Sequence, residues 1–152
     1  MPRLPIIAHG CMKISGELNS FSGEYECLDP NYQSEFNYFG SKWKSVQEAY
    51  DSLSEDSFSE HHKVTLMGRI LYSYFKQDEN KIKILLSTKH AWIQLKEQNH
   101  DNFWHNCDCK NCFFEEGKNY YGRLLMEIRE RFVWERKMIS PNKKSKWKVK
   151  YF

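Results

Sequence analysis

Residues 100–129 read HDNFWHNCDCKNCFFEEGKNYYGRLLMEIR, and this stretch decides more about the chain than any other. An acid precedes an aromatic pair (Asp101, Phe103, Trp104), and three cysteines follow in C-x-C-x2-C spacing (Cys107, Cys109, Cys112). Gly117, Lys118 and Asn119 then make a turn. After it Tyr121, Leu124, Leu125, Ile128 and Phe132 recur at the spacing of one helix face.

Each part of the stretch supports two readings. Thiolates and imidazoles are soft donors that suit zinc, with His105 just before Cys107 and His100 further upstream. A structural zinc takes four ligands; His105 is the expected partner of the three thiols, with Cys11 or Cys27 as substitutes. The other reading is a loop of reduced thiols without metal. Asp101 at the edge of an apolar pocket can act as a general base or hold ribose hydroxyls while Phe103 and Trp104 stack a base. Otherwise Asp101 caps a turn and the rings belong to the core. The helix start at Asn119 offers unpaired N–H groups beside Lys118, a seat for phosphate. The alternative there is an ordinary turn with Asn119 as N-cap.

Upstream, three further helices are legible. Ser45 and Glu48 form an S-x-x-E capping box ahead of Val46, Ala49, Tyr50 and Leu53. A serine-rich link from 54 to 59 leads to Val64, Met67, Ile70, Leu71, Tyr74 and Phe75, a core stripe of about four turns, with His61 and His62 at its solvated start. A short helix begins at Asp78 or Glu79 and runs through Leu85 and Leu86. Strand signals are brief: Ile6-Ile7, residues 36–39 and residues 92–95, with Phe39-Gly40-Ser41-Lys42-Trp43 as a turn between two short strands. Helices among scattered short strands indicate an α+β domain.

At 152 residues the chain is long enough to bury a core as a single domain, and 16% of it is aromatic. No apolar run reaches the length of a membrane span, and the N-terminus has no basic-then-apolar leader. Five cysteines, three of them crowded, suit a reducing compartment, so the expectation is a cytoplasmic protein. The net charge of +3 is too small to argue for nucleic acid by itself, but the six lysines within 137–152 exceed that excess on their own. There Lys146 to Tyr151 alternates lysine with Trp147, Val149 and Tyr151. This is either a contact for a polyanion such as nucleic acid or an edge strand guarded by charge.

The motifs resemble the NADAR (YbiA-like) family, particularly phage-encoded members. The likeness starts at Phe21-Ser22-Gly23-Glu24-Tyr25 and continues through Phe39-Gly40 and Trp43-Lys44-Ser45-Val46. It resumes from Met67 to Leu85-Leu86-Ser87-Thr88, and ends with Asp101-Asn102-Phe103-Trp104 and the segment from Gly117 to Arg129. It spans about residues 20–132, and the Cys triplet is similar to an insertion found in some members. The resemblance implies one compact α+β domain of several helices around a small mixed sheet over residues 1–136; residues 137–152, outside the likeness, read as a basic tail or edge strand. It also implies chemistry on ADP-ribose, NAD and other N-glycosidic nucleotides.

Several reactive positions depart from the family pattern. Its S-V-E acid is replaced in Ser45-Val46-Gln47, and Glu48 points about 100° away on a helix. Its L-S-N-F-Y-P segment is Leu28-Asp29-Pro30-Asn31-Tyr32-Gln33, and its Q-A-x-K lysine is absent from Asp51-Ser52-Leu53-Ser54. About two helices are missing between Ser54 and Met67, and the Gly-Asp after Trp104 is His105-Asn106. The expectation is therefore a nucleotide binder without efficient catalysis, such as one that sequesters a nucleotide signal in phage anti-defence. Trp43, Phe103 and Trp104 would stack the base, Gln47 and Asp101 would bond ribose or base, and Lys118 with Asn119 would hold phosphate. An N-glycosidase with Asp101 as base, and a protein-interaction module with a vestigial pocket, stand beside it. No cofactor is required; a structural zinc is the one candidate.

Overall fold

The Ser45 capping box does start a helix. In the computed structural model, which describes residues 16–96, 100–107, 109–112 and 116–138, helix α1 spans Val46–Leu53. The Ser45 hydroxyl accepts from the Glu48 N–H at 3.1 Å. Glu48 reaches back one residue further than the usual box and accepts from the Lys44 N–H at 2.6 Å.

The core stripe forms α2 (Glu60–Lys76), capped by Ser59, and buries Met67, Ile70, Leu71, Tyr74 and Phe75. Helix α3 (Glu79–Ser87) is capped by the Asp78 carboxylate, which accepts from the Asn80 N–H. Helix α4 (Tyr120–Met138) buries Tyr121, Leu124, Leu125, Ile128 and Phe132, the face anticipated from the spacing. It packs against both α2 and α3, so one continuous core lies between these three helices.

Four short strands complete an α+β architecture. Strands β2 (Phe36–Tyr38) and β3 (Ser41–Trp43) form an antiparallel hairpin with Phe36 opposite Trp43. Phe39 and Gly40 at its tip have φ of 52° and 76°, the pair of left-handed residues that a two-residue turn of right-handed twist requires. Strands β1 (Glu17–Leu18) and β4 (Trp92–Ile93) pair in parallel. The strands thus form two separate two-stranded ladders among the described residues.

Residues 21–25, at the start of the family likeness, behave differently from the surrounding β-prone runs. Gly23–Leu28 is a 3-10 helix, entered through Gly23 at φ 60°. Two buried tyrosines hold its far end. The Tyr74 hydroxyl of α2 donates to the Cys27 carbonyl at 2.8 Å, and the Tyr121 hydroxyl of α4 donates to the Leu28 carbonyl. These bonds satisfy carbonyls that the short helix leaves unpaired and tie it to both long helices.

Ile6-Ile7, Cys11 and the lysine ladder from 146 lie outside the described residues. Helix α4 carries on through Lys137 and Met138. No helix among the described residues is long and apolar enough to cross a membrane.

Candidate metal centre and aromatic site

The start of α4 is where the decisive stretch closes on itself. The Lys118, Tyr120 and Tyr121 N–H groups donate to the carbonyls of Asn102, Phe103 and Trp104 at 2.8, 3.2 and 3.1 Å. These are amides that the sequence reading offered to a phosphate. The loop before the cysteines has taken them, because a helix start needs acceptors and the neighbouring loop supplies three.

The turn residues serve the same docking. Asn119 is fully buried at φ 51°, and its side-chain amide donates to the Ile93 carbonyl of β4 at 2.9 Å. It therefore braces β4 and cannot reach a ligand, which corrects its assignment to phosphate. Gly122 leaves no room for a side chain: a Cβ there would sit 2.0 Å from the Ile93 carbonyl oxygen. A Cβ at Gly117 would meet the His105 carbonyl oxygen at 2.6 Å and Asn106 Cα at 2.7 Å. Both glycines mark places where two backbones nearly touch.

Lys118 points elsewhere. Its ammonium pairs with Glu60 in the first turn of α2 and lies 5.9 Å from the ring centres of both Phe103 and Tyr120. Hydrogen bonds from Lys118 and then Tyr120 hold the Glu60 carboxyl below the usual carboxylate range, and Glu60 raises Lys118 in turn. In the sequence Glu60 carries no signal beyond that of an acid in the first turn of a helix.

Around this pair lies a cluster of rings. Phe103 meets Trp104 edge-to-face at 4.7 Å and Tyr120 at 5.0 Å, and Trp104 meets Tyr50 of α1 at 5.2 Å. Tyr50 is buried, whereas Phe103, Trp104 and Tyr120 remain partly exposed. Trp43 belongs to the β2–β3 hairpin, where its indole N–H donates to the Tyr38 carbonyl. Gln47 anchors α1 through its backbone to the Pro30 carbonyl, and its side-chain amide donates to Asp51 at 2.8 Å.

Asp101 caps the turn that presents the rings. Its Oδ1 accepts from the N–H groups of Phe103 and Trp104 at 3.1 and 2.9 Å. Its Oδ2 lies 4.0 Å from Nε2 of His105. The carboxylate is thus held in place at the edge of the aromatic cluster, with an imidazole alongside.

The cysteines gather around a different histidine. Nδ1 of His100 lies 3.2, 3.3 and 3.9 Å from the sulfurs of Cys112, Cys109 and Cys107, and the four donor atoms all fall within 4.8 Å of one another. These four donors could hold a metal ion. His105, expected as the fourth ligand, is buried, with its ring against Tyr121 and its Nε2 toward Asp101. A bond from the Cys112 N–H to the Cys109 carbonyl closes the C-x2-C turn. Desolvation raises the Cys109 thiol, but hydrogen bonds from the Cys112 backbone, Cys107 and Asn111 outweigh it and bring it down to about 7. Cys112 is pushed up to about 11, by desolvation and then by its bonds to the other two thiols.

No protein-family model matches the chain. The NMR structure of the E. coli protein YbiA superposes with a TM-score of 0.62, covering 82% of this chain and 92% of YbiA at 20% identity. The chain has the YbiA fold. Among curated proteins, a GTP 3',8-cyclase of Clostridium perfringens (strain 13 / Type A) is 32% identical over 111 residues, 66% of this chain. The chain spans about a third of that protein's length, 33% of it. On the YbiA-like frame, the aromatic cluster is the meeting point of α1, the start of α2 and the start of α4.

Proposed function

We propose that this YbiA-like domain binds a nucleotide of the ADP-ribose or NAD class on Phe103, Trp104 and Tyr120, holding it without efficient cleavage. The observation that carries the reading is the partly exposed ring cluster with a lysine–carboxylate pair at its rim and a fixed carboxylate, Asp101, at its edge. An exposed ring face stacks any base, contributing about 1–3 kcal/mol per base. Lys118 gives up little when a phosphate draws it from Glu60, because an exposed ion pair contributes little to stability. The remaining groups fit holding better than hydrolysis. Gln47 stands where the resembling family carries an acid, and its amide is already spent on Asp51. The resemblance to NADAR proteins and a curated relative named for action on GTP both support a nucleotide as ligand. Sequestration of a nucleotide signal needs affinity alone.

A hydrolytic reading rests on the Asp101 and His105 pair, a carboxylate with an imidazole 4.0 Å away. That arrangement can relay a proton, and it makes N-glycosidase activity the second reading.

The test is to incubate the protein with ADP-ribose, NAD, cyclic ADP-ribose isomers and ADP-ribosylated guanosine, following thermal stability and products by mass spectrometry. A ligand at a hundred times its Kd adds about 2.7 kcal/mol, or roughly 5–10 °C for a chain of this size. Stabilisation by unchanged ligand supports the binder. Turnover that disappears in Asp101→Ala supports the glycosidase. No response to any of the panel rejects both.

A further inference from the structure

We infer that His100, Cys107, Cys109 and Cys112 form a tetrahedral zinc site that is structural, and that the metal fixes residues 101–104 against the start of α4. The three contacts of one imidazole nitrogen carry the first half. Nδ1 of His100 sits 3.2–3.9 Å from three sulfurs at once. A ring nitrogen carries one proton or one lone pair, so hydrogen bonding accounts for one of those contacts and leaves two. A shared ion accounts for all three. With Zn–N near 2.1 Å and Zn–S near 2.3 Å at tetrahedral angles, each N···S separation is about 3.6 Å, within the observed range.

The donor set selects the metal. Three thiolates and an imidazole favour zinc over the hard cations, which take oxygen ligands. Four protein ligands fill the tetrahedron and leave no position for a reacting water, so the site is structural rather than catalytic. His100 also holds φ at 65°. That left-handed conformation is uncommon outside glycine, and a metal ligand fixed by three partners is a reason for a chain to keep it.

The second half follows from where the ligands lie. His100 and Cys107 bracket the loop whose carbonyls at 102, 103 and 104 receive the first amides of α4. The Cys107 N–H donates to the Asn102 side chain at 2.8 Å, and the Asn106 side chain accepts from the Gly117 N–H at 3.0 Å. Closing the ion therefore closes the loop on the helix. The proposed nucleotide surface rests on this same loop, but the zinc inference stands without it.

The test needs no nucleotide. Protein purified without chelator and reconstituted with zinc is assayed by elemental analysis, with His100→Ala, His100→Cys and His105→Ala beside it. One zinc per chain is expected, kept in His105→Ala and in His100→Cys, which restores a fourth soft ligand. In His100→Ala the affinity should fall by more than about a hundredfold, since loss of even an outer-shell partner costs 10–100-fold. Cobalt in place of zinc should show thiolate-to-metal charge transfer and the absorption of a tetrahedral ion. Removing zinc should speed hydrogen exchange at the Tyr120 and Tyr121 amides by about tenfold or more while the centre of α2 stays protected. Absence of zinc from the reconstituted wild type overturns the site. So does a zinc content that depends on His105 and ignores His100. Unchanged exchange at Tyr120 and Tyr121 after zinc removal overturns the positioning role. Failure of every nucleotide to bind would sink the proposed function and leave these readouts intact.

Discussion

Replacing Gly122 with alanine tests how α4 is docked, and Gly68→Ala is its internal control because both glycines lie inside helices. At position 122 the new Cβ would sit 2.0 Å from the Ile93 carbonyl oxygen and 2.5 Å from Oδ1 of Asn119, where ordinary contact begins at 3.4 Å. The obstacle is strand backbone, so β4 has to retreat by about 1.4 Å or α4 has to lift. Either movement breaks the Asn119 bond to Ile93, and both of its ends are buried. Overpacking costs about 1–3 kcal/mol, and a buried polar pair left unmade costs about 1–3 kcal/mol more. Alanine returns about 0.5–1 kcal/mol of helix preference. The balance is a loss of about 3 kcal/mol, or roughly 6–12 °C in Tm for a domain of this length. At position 68 the nearest atom is Cδ2 of Leu124 at 3.2 Å, the end of a flexible side chain. Gly68→Ala should therefore stay within about 1 kcal/mol of wild type. Urea denaturation of the three proteins measures both. A Gly122→Ala protein as stable as wild type would refute the close approach of α4 to β4 on which the site geometry depends.

Other outcomes follow from the same contacts. Asn119→Gly keeps the left-handed backbone and loses the bond to Ile93, so it should cost about 1–2 kcal/mol, and Asn119→Ala about 1 kcal/mol more; equal stabilities in urea would remove the backbone argument. Burial first, then nearby ionisable groups, holds the phenols of Tyr74 and Tyr121 well above their usual range. The unfolded chain releases these protons near pH 10 and the native chain does not. Their stabilisation is therefore complete below about pH 10 and is lost as pH rises beyond it. Tyr121→Phe should be less stable near neutrality by about 1–3 kcal/mol and fall less steeply above about pH 10; parallel urea-midpoint curves for the two proteins would contradict this. Lys118→Met should leave the urea midpoint unchanged while weakening any phosphate-bearing ligand, and a large stability loss would show that the Glu60 pair is structural.

What the sequence made legible was local. Ser45, Ser59 and Asp78 cap helices through atoms within three residues, and the apolar spacing of α2 and α4 names their buried faces without reference to anything distant. The hairpin was legible in part: residues 39–43 read as one turn, whereas the turn is Phe39-Gly40 and Ser41–Trp43 pairs back on Phe36–Tyr38 as β3. What stayed hidden depends on partners far along the chain. The start of α4 looked open to phosphate because the carbonyls that fill it come from residues 102–104. Glu60, the partner of Lys118, stands 58 residues away. Residues 23–28 turn into a 3-10 helix under hydroxyls donated from α2 and α4. Spacing favoured His105 over His100 as the fourth metal ligand. Yet the turn capped by Asp101 sends His105 inward against Tyr121 and leaves His100 facing the thiols.

Calorimetric titration of ADP-ribose into wild type, Phe103→Ala and Lys118→Met asks whether the ring cluster and Lys118 hold a nucleotide. Saturable one-site binding to wild type is expected, with the ligand recovered intact. Affinity should be lower by roughly 5–150-fold in Phe103→Ala, the range that 1–3 kcal/mol of stacking implies. Lys118→Met should bind more weakly as well and remain folded. No saturable binding by wild type, or binding indifferent to Phe103 and Lys118, would contradict the proposed nucleotide site.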